Sequence, residues 1–222
     1  MTGEAPTRVF LKLSTEKQQR IIKEAIHEFS RYGFHRASMN RLVERLGIAK
    51  GSLFQYFGSK EGLFQFVFDR CVSMAKDALR KIKSGNSGDA SFYDKIRATA
   101  WAGIKFAREN PEVYGLYLRL LFQEDFPLRD SLIRKLHIFS AEYLKHLILE
   151  GIERGEISPE IDVSTAVFFL DAVLDRFVQA YFVEFWDAES GIFRAEDEVL
   201  QNKIDNLVKI IARGFKGYNS ES

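Results

Sequence analysis

A single cysteine, Cys71, in 222 residues leaves no partner within the chain for a disulfide. A disulfide-stapled fold is excluded and a reducing compartment fits. On its helical stripe Cys71 is expected to be a small core hydrophobe. Long apolar runs are also missing: the richest stretch, 166–186, is interrupted by Asp171, Asp175, Arg176 and Glu184, so no membrane span is expected. The polar N-terminus lacks the apolar segment of a secretory signal, and a cytoplasmic protein is expected. Sustained strand alternation, internal repeats and low-complexity tracts do not occur.

Catalytic signatures are wanting too. His27, His35, His137 and His146 have no metal-ligand spacing. Glu142 and His146 share a helix face, but two ligands make a weak site and solvated surface is the better reading. Lys50-Gly51-Ser52 lacks the glycine before the lysine and the preceding strand that a phosphate loop needs. Neither a nucleophile elbow nor a dinucleotide fingerprint is present. No enzyme activity, metal or cofactor is expected.

What the chain does have is concentrated near its start. Residues 1–60 hold eleven Lys and Arg against five Asp and Glu, whereas the whole chain carries 32 against 31, so the rest is net acidic. Such asymmetry is the footprint of a nucleic-acid-binding lobe. The arm from Met1 to Lys12, with Arg8 and Lys12, reads as a flexible basic tail able to reach phosphate or the minor groove.

Thr15 and Gln18 are spaced as a capping box, and Ile22, Ala25, Ile26 and Phe29 follow on one helical stripe. Gly33 is expected to stop this helix. A second short helix begins after Ser38 as N-cap, turning Leu42, Val43 and Leu46 inward and leaving Asn40, Arg41, Glu44 and Arg45 wet. Gly47 supplies the tight turn. A third helix, Lys50 to Phe57, is expected to bury Leu53, Phe54 and Phe57 and to present Lys50, Ser52, Gln55 and Tyr56 outward. Two short helices joined this way form a helix-turn-helix, whose second helix enters the major groove. Gln can bond adenine bidentately, Lys and Ser can hold phosphate or guanine, and Tyr can make polar or methyl contacts.

The run Gly47-Ile48-Ala49-Lys50-Gly51-Ser52-Leu53-Phe54-Gln55-Tyr56-Phe57-Gly58-Ser59-Lys60-Glu61-Gly62-Leu63-Phe64 resembles, without a gap, the N-terminal domain of the TetR/AcrR family of transcriptional regulators. The resemblance implies DNA contact by Lys50, by Gly51 through its backbone, and by Ser52, Gln55, Tyr56 and Lys60, with Arg36 and Ser38 near the DNA backbone. Two departures stand out: Ala49 occupies a position usually Ser or Thr, and Gly58 one commonly Lys, so affinity is expected to lean on the arginines.

After the motif the pattern stays helical. Ser59 is expected to cap a helix to about residue 83, and 84–89 is the clearest linker in composition. Further helices are expected at 91–109, 111–122, 128–154, 163–186 and 196–216, with stops at 110–111, 125–127, 155–159 and 187–191. The expected fold is all-α, a three-helix DNA-binding domain followed by a helical ligand-binding and dimerisation domain. In the family the long helix after the motif bridges the lobes, which places the border near Leu63: residues 1–62 for DNA and 63–222 for effector and dimer.

Trp101, Phe106, Tyr114, Tyr117, Phe122, Phe139 and Tyr143 lie on the helices that line the family's effector cavity. A small apolar or amphipathic effector is therefore expected. The helices carrying 168–186 and 200–215 correspond to the pair the family packs in a homodimer, which implies a pseudo-palindromic double-stranded operator. Asp171, Asp175 and Gln179 share a stripe that reads as a polar seam or a solvated face rather than a ligand hook. The resemblance implies a ligand-responsive regulator, in first place a repressor. The alternative is a helical effector-binding or interaction module whose DNA lobe is vestigial or architectural, and the presence of Lys50, Tyr56 and Lys60 argues against it.

Overall fold

The computed structural model of the chain describes residues 6–85, 90–122 and 128–215. Among the described residues all regular structure is helical: α1 (Arg8–Leu11), α2 (Thr15–Arg36), α3 (Met39–Leu46), α4 (Lys50–Phe57), α5 (Lys60–Gly85), α6 (Phe92–Glu109), α7 (Pro111–Phe122), α8 (Arg129–Glu153), α9 (Val163–Phe182), α10 (Glu184–Asp187) and α11 (Asp197–Phe215). The start of the N-terminal arm, the 86–89 part of the linker, the stop at 125–127 and residue 216 lie outside the described residues. Two compact units emerge, Met1–Lys76 with Asn110–Lys135, and Asp77–Glu109 with Leu136–Ser222.

In the first unit, α2 begins one residue earlier than a Thr15 cap would place it. Ser14 is the N-cap and accepts the Lys17 amide at 3.4 Å. Gln18 closes no capping box; its amide donates to the carbonyls of Leu13 at 2.9 Å and Leu11 at 3.3 Å. The buried stripe is Ile21, Ala25, Ile26 and Phe29, with Ile22 only half-buried. Gly33 breaks the helix as expected, with φ of 69° and ψ of 176°, although a helical turn continues to Arg36. A side chain there would strain the backbone, since L-residues rarely adopt that φ.

Ser38 caps α3 as its spacing predicts, its hydroxyl accepting the Arg41 amide at 3.3 Å, and Gly47 ends α3 in the left-handed region with φ of 66°. Leu42, Leu46, Leu53 and Phe57 bury the inner faces of α3 and α4. On α5, Leu63, Phe64, Val67 and Phe68 continue this core, and Cys71 joins it as a buried thiol. Phe64 meets Phe29 edge-on at a centroid distance of 4.9 Å. A Cβ on Gly62 would lie 2.1 Å from the Phe57 carbonyl oxygen, so only glycine lets α5 start this close to the end of α4. α7 packs along α2, with Val113, Leu116 and Leu120 buried, His27 paired to Glu112 at 2.5 Å and the Arg119 guanidinium donating to the Ser30 carbonyl.

The second unit has one continuous core: Phe92, Ile96, Ala100 and Ile104 of α6, Leu144, Leu147 and Ile148 of α8, Leu170, Leu174 and Phe177 of α9, and Leu200, Ile204, Val208, Ile211 and Phe215 of α11. A Cβ on Gly103 would sit 2.7 Å from the Val178 methyl, which marks how closely α6 and α9 approach. The helix expected to reach Trp186 divides. Val183 is extended, with φ of −125°, and α10 follows as a separate turn. β-branched Val183 tolerates the extended state well, and the break lets Trp186 fold back so that the Arg176 guanidinium lies 3.3 Å from its ring centroid.

Candidate nucleic-acid interface

The scaffold of the DNA lobe turns on one buried carboxylate. Glu28, on α2, has a side chain only 2 % exposed. It accepts the Ser38 amide at 2.7 Å, Arg41 Nη2 at 2.6 Å and Nε at 3.1 Å, and Arg45 Nη1 at 2.9 Å. Burial pushes its pKa up, but the hydrogen bonds from Arg41, the Ser38 amide and Arg45 outweigh that and hold it below the ordinary value. Arg41 and Arg45, expected to be wet, are thereby turned toward α2. Arg45 also bonds Glu24 at 2.8 Å, and Arg41 lies 4.1 Å from the Tyr32 ring centroid. The α3 arginines are engaged by the fold itself, while the Arg41 side chain keeps 42% exposure.

α4 is held on one side and open on the other. Leu53 and Phe57 anchor it, while Lys50, Gly51, Phe54, Gln55 and Gly58 are exposed. Phe54, expected in the core, is 42 % exposed. The reason is the helical wheel: Leu53 and Phe57 are four residues apart on one face, whereas Gly51, Phe54, Gln55 and Gly58 follow the three-and-four spacing of the opposite face. Reading the aromatic as core because it is apolar misses this, although the spacing was available in the sequence.

The other expected DNA residues take distinct places. Arg36 is exposed, with its carbonyl accepting from Arg41. The Ser38 hydroxyl is occupied as a helix cap. Ser52 and Tyr56 are half-buried, and the Tyr56 ring packs against Phe10 at 5.9 Å and Phe57 at 6.2 Å. Lys60 donates to the His35 carbonyl at 3.1 Å and lies 4.9 Å from the Phe34 ring centroid. Around Gly51 a Cβ would meet no atom of the protein within 4 Å, and its backbone is not in the left-handed region. The fold does not need glycine there. The described part of the arm is not a flexible tail: Arg8–Leu11 form a helical turn and Phe10 is 1 % exposed.

Residues 21–67 match the family model for bacterial regulatory proteins of the tetR family, and residues 90–216 match that for the tetracyclin repressor-like C-terminal domain. The chain belongs to the TetR family. It is an all-α, helix-turn-helix transcriptional regulator. Among its relatives, the regulator RutR of Escherichia coli K12 is 23% identical over 201 residues, spanning 90% of this chain and 91% of RutR. A TetR family regulator of Chloroflexus aurantiacus shares 26% identity and superposes with a TM-score of 0.67, covering 97% of this chain and all of the other. FadR of Bacillus subtilis, solved in complex with stearoyl-CoA, shares the fold at 19% identity and a TM-score of 0.66 over 86% of this chain and 96% of its own.

The aromatic residues expected at the TetR effector site fall in both units. Trp101, Phe106, Phe139 and Tyr143 belong to the second, all half-buried. The Trp101 indole donates to Gln201 at 2.8 Å, and the Tyr143 hydroxyl shares a 3.0 Å hydrogen bond with Thr99. Burial raises the Tyr143 pKa. Tyr114, Tyr117 and Phe122 belong to the first unit: Tyr114 is buried with its ring 5.8 Å from that of Tyr117, and Phe122 is exposed.

The polar stripe on α9 is organised as a seam. Asp171 accepts from Ser140 at 2.5 Å and His137 at 3.0 Å, and Asp175 accepts from Gln179 at 2.7 Å. His137 is half-buried and held by Asp171, which raises its pKa against the opposing effect of burial. Among the described residues no group of three potential metal ligands converges, and no helix is long and apolar enough to cross a membrane.

Proposed function

We propose that the chain is a homodimeric, ligand-responsive repressor working in the cytoplasm without catalytic activity. Residues 1–62 serve as its DNA-binding domain and 63–222 as its effector-binding and dimerisation domain. The observation that carries this reading is the α4 surface: a helix locked by Leu53 and Phe57 with Lys50, Gly51, Phe54 and Gln55 exposed. On this reading Gln55 reads a base edge, Phe54 meets a thymine methyl, and Lys50, Ser52 and the Gly51 backbone hold phosphate. Tyr56 and Lys60 border the helix, and Arg36 and Ser38 lie beside the DNA backbone. One helix-turn-helix reads a half-site, so a pseudo-palindromic operator calls for a two-fold dimer. Phe168 and Ile210, at 74% and 64% exposure on α9 and α11, are apolar groups that such an interface covers.

The effector proposed is bulky and apolar or amphipathic, and in the second unit its contacts are Trp101, Phe106, Phe139 and Tyr143. The polar atoms of Trp101 and Tyr143 already bond within the protein, which favours apolar contact by their rings. Stearoyl-CoA, held by FadR of Bacillus subtilis, is a ligand of this character. Effector binding moves α5 and changes the separation of the two recognition helices, lowering operator affinity. Calorimetry of a long-chain acyl-CoA series, with and without a duplex selected from a random library by the chain, tests the switch. DNA is expected to weaken the ligand, and ligand the DNA, by the same coupling of about 1–3 kcal/mol. Equal ligand affinities in the two titrations would remove the switch from the reading.

A further inference from the structure

A helix leaves its last four carbonyls without partners inside the helix. On α4 these are the carbonyls of Phe54, Gln55, Tyr56 and Phe57, and each has an acceptor role that can be assigned. The Phe54 carbonyl accepts the Gly58 amide and the Phe57 carbonyl the Ser59 amide, both at 2.8 Å, from the chain that follows directly. The two between them are served from 48 residues or more upstream. The Thr7 hydroxyl donates to the Gln55 carbonyl at 2.9 Å, and the Thr7 amide to the Tyr56 carbonyl at 2.9 Å.

The arm is also fixed on the C-terminal side of this contact. Phe10 is buried with its ring 4.9 Å from Phe57, 5.3 Å from Phe66 and 5.9 Å from Tyr56. Beyond it, the Gln18 amide holds the carbonyls of Leu11 and Leu13. The residues bridged by Thr7 are Gln55 and Tyr56, two of those assigned to DNA contact. We infer that the N-terminal arm is a positioning element for DNA reading: Thr7 closes the C-terminal end of α4 and Phe10 wedges it, so that Gln55 is presented to a base edge in one orientation. This rests on the DNA-reading assignment of α4 proposed above. Thr7 and Phe10 are positioning residues. A recognition side chain whose helix end is loose loses the geometry that bidentate readout requires, whereas attraction to phosphate tolerates it.

Thr7→Pro isolates the effect, because the φ of Thr7 is −63°, the value proline imposes, while both donors disappear. Thr7→Ser keeps both donors and is the conservative control. The probes are a duplex selected from a random library by the unmodified full-length chain and a scrambled duplex of equal length. For Thr7→Pro a loss of about five- to tenfold is expected on the selected duplex, the size of one modest hydrogen bond, with little change on the scrambled one and the same salt slope. Thr7→Ser is expected to bind as the unmodified chain does. Amide exchange in α4 is expected to quicken in free Thr7→Pro and in Phe10→Ala. Unchanged binding and exchange in Thr7→Pro, or an equal loss on both duplexes, would overturn the inference while leaving the DNA reading intact. Failure of the unmodified chain to select any sequence would overturn the DNA reading, and the inference with it.

Discussion

The Glu28 carboxylate and the Ser38 amide meet at 2.7 Å, joining the middle of α2 to the first turn of α3. Because Ser38 is also the N-cap of α3, one buried acid fixes where the helix-turn-helix begins. Glu28→Gln is expected to destabilise the protein by about 2–3 kcal/mol at neutral pH, since Arg41 and Arg45 lose the charge that compensates their partial desolvation. Denaturant unfolding checks it. The folded pKa lies below the ordinary 4.5, so this contribution is complete above the unfolded value and disappears as the pH falls through the folded one. The gap between the two proteins should therefore narrow on acidification below 4.5.

Gly51→Ala should move stability and DNA binding in opposite directions. The site has open space and an ordinary helical backbone, so alanine is expected to stabilise by about 0.5 kcal/mol. If the Gly51 backbone approaches phosphate, the added methyl intervenes and affinity is expected to fall about tenfold. Thermal denaturation and a duplex titration of the same preparation decide both.

Cys71 is expected to resist alkylation in the native protein, because burial pushes its thiol up to about 12. The thiolate is the reacting form, so iodoacetamide at about pH 8 should label it only as fast as the first unit opens. Labelling of folded protein at the rate of a free thiol would place Cys71 outside the core.

The parts of this fold legible in the sequence were those set by local chemistry. Ser38 as a cap, Gly33 and Gly47 as breaks, and the Leu53 and Phe57 anchors follow from backbone sterics and helical period, and the motif around Lys50 to Phe64 led to the family. What the sequence hid depends on distant partners. Arg41 and Arg45 look solvated until Glu28, thirteen or more residues away, draws them in. The arm looks like a tail until Phe10 finds Phe57 and Phe66. Val183 carries no glycine or proline to announce a break; the helix ends there as Trp186 folds onto Arg176 and the Tyr181 carbonyl accepts the Arg194 amide. Phe54 is a different case: its periodicity points outward while its apolarity points to the core.

Fluorescence anisotropy of a selected and a scrambled duplex over a salt series tests whether the exposed face of α4 reads DNA. For the unmodified chain, log affinity should fall linearly with log salt, and the selected duplex should bind more tightly throughout. Gln55→Ala should cost about 1–3 kcal/mol on the selected duplex alone, and Lys50→Ala should weaken both and lower the slope by about one. Equal binding of the two duplexes by the unmodified chain, or a Gln55→Ala protein that still prefers the selected duplex with undiminished affinity, would mean that this face of α4 does not read sequence.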